Sequence, residues 1–299
     1  MNSLNELWTS NALIQAAGLP GQSCPDGTLY IVGLPIGNLG DITLRALWIL
    51  AQADVVAAED TRETRKLLDK FGISVKLLSV REHNERFGAE QIIGFLQEGQ
   101  KVALVTDAGT PCVSDPGARA VKAVREAGFR VVPVPGASAV VTALSGAGLD
   151  GSGFSFVGFV PPQPKARRNA LAYWLARSEP FVLYEAPHRV VGLLEDLAVA
   201  MEPRRRVVVA REITKKFESF VSLTGAELAE WATSHEPRGE YVILVDEAPA
   251  TPQTLSEDDI RWLRAMMGEL PSSKLAAIAA KVTGKPRDEI YRWLCEHKS

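Results

Sequence analysis

Apolar positions recur along this chain at two lengths. From Thr28 onward, short aliphatic and β-branched runs at 29–32, 55–58, 75–80, 102–106 and 130–134 alternate with longer stretches whose apolar residues fall at helical spacing. Such alternation predicts βαβ units around a largely parallel sheet, because parallel strands need a crossover helix long enough to return the chain. Gly72, Gly99 and Gly128 stand just after helical patterns at 61–71, 90–98 and 118–127, where a left-handed residue closes a helix. A second series of runs follows at 154–159, 181–184, 207–210, 220–223 and 241–245. The charged stretch between the runs at 207 and 220 is too short for a helix, which predicts antiparallel pairing and a mixed α/β domain.

Breaker residues divide the series. Residues 1–27, closing on Pro25-Asp26-Gly27, read as a frayed lead-in. Gly146, Gly148, Gly151 and Gly153 mark a hinge between an N-terminal α/β domain at 28–147 and a C-terminal one at 148–247. A proline-bearing linker follows Glu247. The tail at 255–299 opens on a Ser256/Asp259 capping box and carries helical patterns at 272–282 and 287–297 around Gly284-Lys285-Pro286. That layout resembles a helix-turn-helix, and a packing cap explains it equally well.

Composition narrows the class. With 46% hydrophobic and 23% charged residues among 299, the chain can bury a sizeable core, and disordered or fibrous classes are excluded. No apolar run is long enough to span a membrane and no signal-peptide pattern opens the chain, so a cytoplasmic protein with no membrane partner is expected. The three cysteines, Cys24, Cys112 and Cys295, are too scattered for a disulfide framework or a thiolate metal site, and His83, His188, His235 and His297 have no metal-ligand spacing, so no metal is expected. A net charge of -3 offers no global attraction to nucleic acid; local basic clusters would have to hold it.

Candidate chemistry gathers where strands end. Gly33-Leu34-Pro35-Ile36-Gly37-Asn38-Leu39-Gly40 follows the first run, but its glycine spacing disfavours a nicotinamide dinucleotide, and no Lys-Ser or Lys-Thr follows to suit a nucleoside triphosphate. Glu59 and Asp60 leave the second run, with Asp60 the better cap for the next helix. Asp107-Ala108-Gly109-Thr110-Pro111-Cys112-Val113-Ser114-Asp115-Pro116-Gly117 is a long loop of small residues that lets backbone approach a ligand closely, with Asp115 expected as the next N-cap and Pro116 at the first helical position. Pro133-Val134-Pro135-Gly136-Ala137-Ser138-Ala139 repeats the arrangement. Three such loops in one half of a chain define a crevice. Cys112 has no histidine near it in sequence, so small-residue packing is its expected role. Basic groups cluster after strand ends: Arg62 with Arg65 and Lys66; Lys165, Arg167 and Arg168; Lys215 and Lys216. A phosphate-rich substrate is one reading of them and a solvated face the other.

Six motifs in order, Gly-Leu-Pro-Ile-Gly-Asn-Leu-Gly-Asp, Glu-Asp-Thr-Arg, Asp-Ala-Gly-Thr-Pro, Pro-Gly-Ala-Ser-Ala, Tyr-Glu-Ala-Pro-His-Arg and Arg-Glu-Ile-Thr-Lys-Lys-Phe-Glu, resemble the tetrapyrrole methylase superfamily and, within it, its ribosomal RNA small-subunit methyltransferase I group. The resemblance spans about 28–245 and continues in the tail. It implies two α/β domains with S-adenosylmethionine bound between them, a homodimer, and methylation of the ribose 2'-hydroxyl of a cytidine in the decoding region of the small-subunit (16S) ribosomal RNA. Carried over residue by residue, it places cofactor contacts at Pro35, Ala108, Gly109, Thr110, Val113, Ser138, Ala139, Glu185 and Ile213. Where corrin and porphyrin relatives have Gly-Gly-Asp-Pro, this chain has Ala108-Gly109-Thr110-Pro111. Asp107 is included among the contacts, and whether it replaces the missing acid stays open. Methyl transfer to a hydroxyl needs in-line placement and a base, for which Glu59 or Asp60 is the candidate and Glu185 and Glu212 are rivals. Lys165, Arg167, Arg168, Lys215 and Lys216, with Arg62, are the candidate RNA phosphate contacts. The competing readings are C-methylation of a tetrapyrrole and a non-catalytic RNA-binding assembly factor.

Overall fold

The computed structural model describes residues 12–149, 153–177, 179–249 and 255–297. The chain divides into two compact units, residues 1–247 and 248–299.

The first unit holds two five-stranded sheets. In the first, strands β1 (Thr28–Val32), β2 (Val55–Ala58), β3 (Lys76–Ser79), β4 (Val102–Val105) and β5 (Arg130–Val134) are ordered β3-β2-β4-β1-β5, every pairing parallel. Both faces are covered. Tyr30, Val32, Val56, Ala58, Ala103 and Val105 pack towards the helix Leu44–Gln52, while Leu29, Ile31, Val55, Ala57, Val102 and Leu104 pack towards the helices Glu85–Gln97 and Ala118–Glu126. Burial on both faces is why these strands read as continuous apolar runs. The lead-in is not wholly frayed: residues 1–11 lie outside the described residues, but Ile14 and Leu19 join this core and Tyr30 Oη donates to Pro25 O at 3.0 Å.

The second sheet takes β6 (Ser155–Phe159), β7 (Phe181–Glu185), β8 (Arg206–Arg211), β9 (Ser219–Thr224) and β10 (Tyr241–Val245) in the order β6-β7-β10-β8-β9. β6 and β7 are parallel and the other neighbours antiparallel, including the β8–β9 hairpin expected from the short charged connection. One face packs on the helices Pro164–Leu175, Pro187–Ala200 and Leu228–Ser234. The other is covered by Val140, Ala143 and Ala147 of the helix Ala139–Ala147, which the sequence assigns to the preceding domain. A Cβ at Gly146 would lie 3.0 Å from the Phe220 ring, so this helix needs glycine to seat on the sheet. Packing therefore joins the two halves before the expected hinge, whose residues 150–152 lie outside the described ones.

In the second unit, the helices Glu257–Met266, Ser272–Thr283 and Arg287–Glu296 close around Leu263, Leu275, Ala279, Ile290 and Leu294. The Ser256/Asp259 capping box is formed, and Gly284, with φ 71°, turns the chain between the last two helices. Linker residues 250–254 lie outside the described residues.

One helix start differs from expectation. The helix after β4 begins at Ala118 with Gly117 as its N-cap, and Asp115 caps nothing. Its free N–H groups are satisfied from another helix: Glu85 Oε1 accepts from Gly117 N at 3.0 Å, Arg119 N at 2.7 Å and Ala120 N at 3.2 Å. A carboxylate at a helix N-terminus meets both the orphan donors and the helix dipole. Glu85→Ala is expected to destabilise the protein by roughly 3 kcal/mol in chemical denaturation, with Glu85→Gln, which keeps an acceptor oxygen, losing less.

Candidate functional site

At the carboxyl end of the first sheet, three loops are joined by their backbones. Leu34 N donates to Gly109 O at 2.8 Å and Gly109 N to Leu34 O at 3.0 Å, linking the loop after β1 to that after β4. Thr110 Oγ1 donates to Ala137 O at 3.2 Å, linking the latter to the loop after β5. The first and last loops touch at Gly33 and Gly136, where a Cβ on Gly136 would lie 2.7 Å from Gly33 O. No side chain fits there.

Over this platform lies a cavity of about 410 Å³, within the range of small-molecule sites. The first half contributes Ile36, Ala108, Gly109, Thr110, Val113, Ser114, Asp115, Ser138 and Ala139. The second contributes Phe159, Tyr184, Glu185, Ala186, Pro187, Glu240, Tyr241 and Val242. Tyr241 pairs with Glu185 across the antiparallel β7–β10 ladder, which brings residues 56 apart in sequence to one rim. Phe156 and Phe159 meet the Tyr184 ring edge-on, with centroids 5.0 and 5.7 Å away.

The structure thus gathers seven of the expected cofactor contacts, Ala108, Gly109, Thr110, Val113, Ser138, Ala139 and Glu185, in one cavity wall. Pro35, Asp107 and Ile213 are not in that lining. Pro35 is buried beside it, Ile213 packs into the apolar layer under the second sheet, and Asp107 Oδ1 accepts from Asp60 N at 3.0 Å, tying the β4 loop to the end of β2. Tyr184, Glu240, Tyr241, Val242 and Phe159 are members that the residue patterns alone did not single out. Tyr184 carried the one usable signal, an aromatic at a strand end beside Glu185.

Backbone conformation in the wall is unusual. Gly109 has φ 74°, and Cys112 and Ser114 take φ 71° and 62° without being glycine. Left-handed non-glycine residues of this kind cluster at functional sites. Burial pushes the Cys112 thiol up to about 11, which leaves it an uncharged packing group.

The acidic candidates separate by their partners. Asp60 accepts from Arg62 N at 2.8 Å and pairs with its guanidinium at 2.6 Å, so it caps its helix and is held well below the usual carboxylate range. Glu212 accepts from Lys215 Nζ at 2.9 Å and Glu240 N at 3.0 Å; burial opposes its charge, but these bonds hold it below the usual range. Glu59, outside the cavity lining, is raised by burial and by Asp107. The Glu185 side chain is fully enclosed: Oε1 accepts from Ala186 N at 2.9 Å and pairs with Arg189 Nε at 3.0 Å, while Oε2 is buried with no hydrogen-bond partner.

The basic candidates divide too. Arg167 is buried, with Nε donating to Asp196 Oδ2 at 2.7 Å, and Lys215 bridges Glu212 and Glu240 while its methylenes fill the space left by Gly37. Both are engaged by carboxylates. Lys165 and Arg168 are exposed on the first turns of the helix Pro164–Leu175, Arg168 with Nη1 3.7 Å from Asp196 Oδ1, and Lys216 is exposed with its ammonium 5.5 Å from the Phe217 ring. Arg62 is exposed but engaged by Asp60.

Comparison with known proteins follows the same lines. The profile described as Tetrapyrrole (Corrin/Porphyrin) Methylases matches residues 28–229, and one described as RsmI C-terminal HTH domain matches 253–298. A protein of Neisseria meningitidis serogroup B named ribosomal RNA small subunit methyltransferase I is 50% identical over 268 residues, covering 89% of this chain and 92% of the relative. Its namesake in Escherichia coli O157:H7 is 44% identical, covering 91% and 96%. Among solved structures, the cobalt precorrin-4 methyltransferase CbiF aligns with TM-score 0.57 at 20% identity, over 75% of this chain and 98% of that one. Uroporphyrin-III-C-methyltransferase from Thermus thermophilus aligns with TM-score 0.53 at 24% identity, over 74% and 94%. These two show the shared fold.

The two neighbouring arginines offer a direct contrast. Arg167→Ala, which leaves Asp196 only its longer 3.7 Å contact with Arg168, is expected to cost about 2 kcal/mol in denaturant unfolding, and Arg168→Ala less than about 0.5 kcal/mol.

Proposed function

Because the chain belongs to the tetrapyrrole (corrin/porphyrin) methylases, we propose that it transfers a methyl group from S-adenosylmethionine to the ribose 2'-hydroxyl of a cytidine in the decoding region of 16S ribosomal RNA within the small subunit. Relatives named ribosomal RNA small subunit methyltransferase I, matching about nine-tenths of the chain at 40–50% identity, support an RNA acceptor over a tetrapyrrole. The corrin and porphyrin enzymes share the fold at much lower identity.

The observation that carries the reading is the cavity itself. Its walls suit an adenosyl sulfonium: apolar Ile36, Val113 and Tyr184 for the purine and thioether carbons, and small residues that leave backbone groups accessible. Ser138 begins the helix Ala139–Ala147 without using its hydroxyl as a cap, so its hydroxyl and the helix N-terminus are available to a carboxylate. When bound, the cofactor supplies an electrophilic methyl and a neutral leaving group. The protein's work is to enclose it, aim the acceptor oxygen and remove that oxygen's proton. Arg62, Lys165, Arg168 and Lys216 are the surface cations assigned to phosphates; with a net charge of -3, such local contacts and RNA shape must supply the affinity. The enzyme acts as a cytoplasmic homodimer.

Calorimetry with S-adenosylmethionine separates an enzyme from a binding-only factor, and methyl transfer to small subunits against a porphyrinogen separates the two enzymes. RNA binding by a protein that binds no S-adenosylmethionine, or transfer to the porphyrinogen alone, would overturn the proposal. Gly109→Leu is expected to leave the protein folded by circular dichroism and weaken cofactor binding at least tenfold, since Gly109 lines the cavity and a leucine side chain there would occupy it. In subunit binding across a salt series, Lys165→Ala/Arg168→Ala is expected to shallow the log-log slope by roughly one unit per lost phosphate contact at unchanged cofactor affinity.

A further inference from the structure

Transfer of a methyl group to a hydroxyl releases a proton, and a ribose hydroxyl is a weak nucleophile while it keeps that proton. A base has to stand where the acceptor meets the cavity, with its charge unspent. Three carboxylates line the cavity: Asp115, Glu185 and Glu240. Glu185 is enclosed and paired with Arg189, and Glu240 is paired with Lys215 at 2.7 Å. Asp60 and Glu212 are spent on Arg62 and Lys215.

Asp115 differs from all of these. Among the described residues its side chain makes no ion pair and no hydrogen bond, although it is half-buried. It lines the cofactor cavity and also an adjoining cavity of about 380 Å³ whose other walls include Glu59, Glu82, Glu85 and Arg119, so it stands at the seam of the two. Its placement is built rather than incidental. Ser114, in left-handed conformation, turns the loop, and a Cβ at Gly158 of β6 would lie 2.9 Å from Ser114 Oγ, so glycine there lets the second sheet close upon this segment. The helix that Asp115 leads into has its cap supplied by Glu85, which leaves Asp115 free of the role its position suggests.

We propose, on the methyl-transfer reading above, that Asp115 is the general base of the reaction. The Asp115 carboxylate takes the 2'-hydroxyl proton as the oxygen–methyl bond forms and the sulfur–methyl bond of the sulfonium breaks, leaving the methyl ether, a neutral thioether and a protonated Asp115. The surroundings suit this task. Burial, then the charges of Glu59 and Asp107, push its carboxyl up to about 6, so it is ionised at neutral pH yet holds a proton more tightly than an ordinary aspartate. Groups facing it are Glu59 and Asp107 at the ends of β2 and β4, Glu82 and Glu85 across the adjoining cavity, Arg119 on the following helix, Cys112 on its own loop and Tyr184 on β7. Glu59 thereby acts as a positioning charge that raises the proton affinity of Asp115.

Two measurements test this on the full chain. The first needs neither cofactor nor RNA. A carboxyl whose folded pKa lies above its unfolded value binds protons more tightly in the folded state, so its contribution to stability falls as pH rises from about 4 through about 6. Asp115→Asn is therefore expected to melt above the wild type at pH 7.5, with the gap closing near pH 4. The second is single-turnover methylation of small subunits at saturating cofactor from about pH 5 to 9. The wild-type rate is expected to rise to a plateau with an apparent pKa near 6. Asp115→Asn should lose about 10²–10⁴-fold with cofactor affinity within about threefold, and Glu59→Gln should move the acid limb to lower pH. An Asp115→Asn enzyme within tenfold of wild type, or a Glu59→Gln limb that does not move, overturns the assignment. A wild type that binds cofactor but methylates no subunit removes the functional reading, and this one with it.

Discussion

The site depends on a backbone contact between loops that are far apart in sequence. Leu34 and Gly109 exchange two hydrogen bonds, and Gly33 and Gly136 meet with no room for a Cβ. A parallel sheet delivers the ends of β1, β4 and β5 to one edge, and small residues let those ends fuse into a platform. Everything that lines the cavity from the first half is placed by that platform. The second half is held over it by the helix Ala139–Ala147, which leaves the β5 loop at the cavity and packs its apolar face on the other sheet. One helix therefore presents its N-terminus to the cavity and ties the two sheets together.

Charge around the cavity follows a division of labour. Arg62, Lys215, Arg189 and Arg167 each neutralise a carboxylate whose position matters: the cap of a helix, the rim of the second sheet, the wall at β7 and the underside of the helix Pro187–Ala200. The largely buried pairs, Arg167 with Asp196 and Arg189 with Glu185, specify geometry more than they add stability. Among the described residues Glu59, Asp107 and Asp115 make no ion pair, and burial, then the neighbouring acids, push the carboxyls of Glu59 and Asp115 up.

Periodicity, breakers and local chemistry could be read from the residues alone. All ten strands lie at the expected runs, since burial on the sheet faces leaves an uninterrupted apolar signature, and the β8–β9 hairpin followed from a connection too short for a helix. The small-residue loops were legible for the same local reason, and the order of the motifs carried the family. Which polar groups already had partners depended on how the elements pack together. Asp115 has the local grammar of an N-cap, yet the cap comes from Glu85, thirty positions earlier. Arg167 and Lys215 read as surface cations until Asp196 and Glu240 meet them from other elements. Glu240 and Tyr241 reach the rim only through antiparallel register with β7. A hydrogen-bond partner or a counter-charge brought across the fold leaves no mark on the local sequence, and it is such partners that separate a structural carboxylate from one free to act.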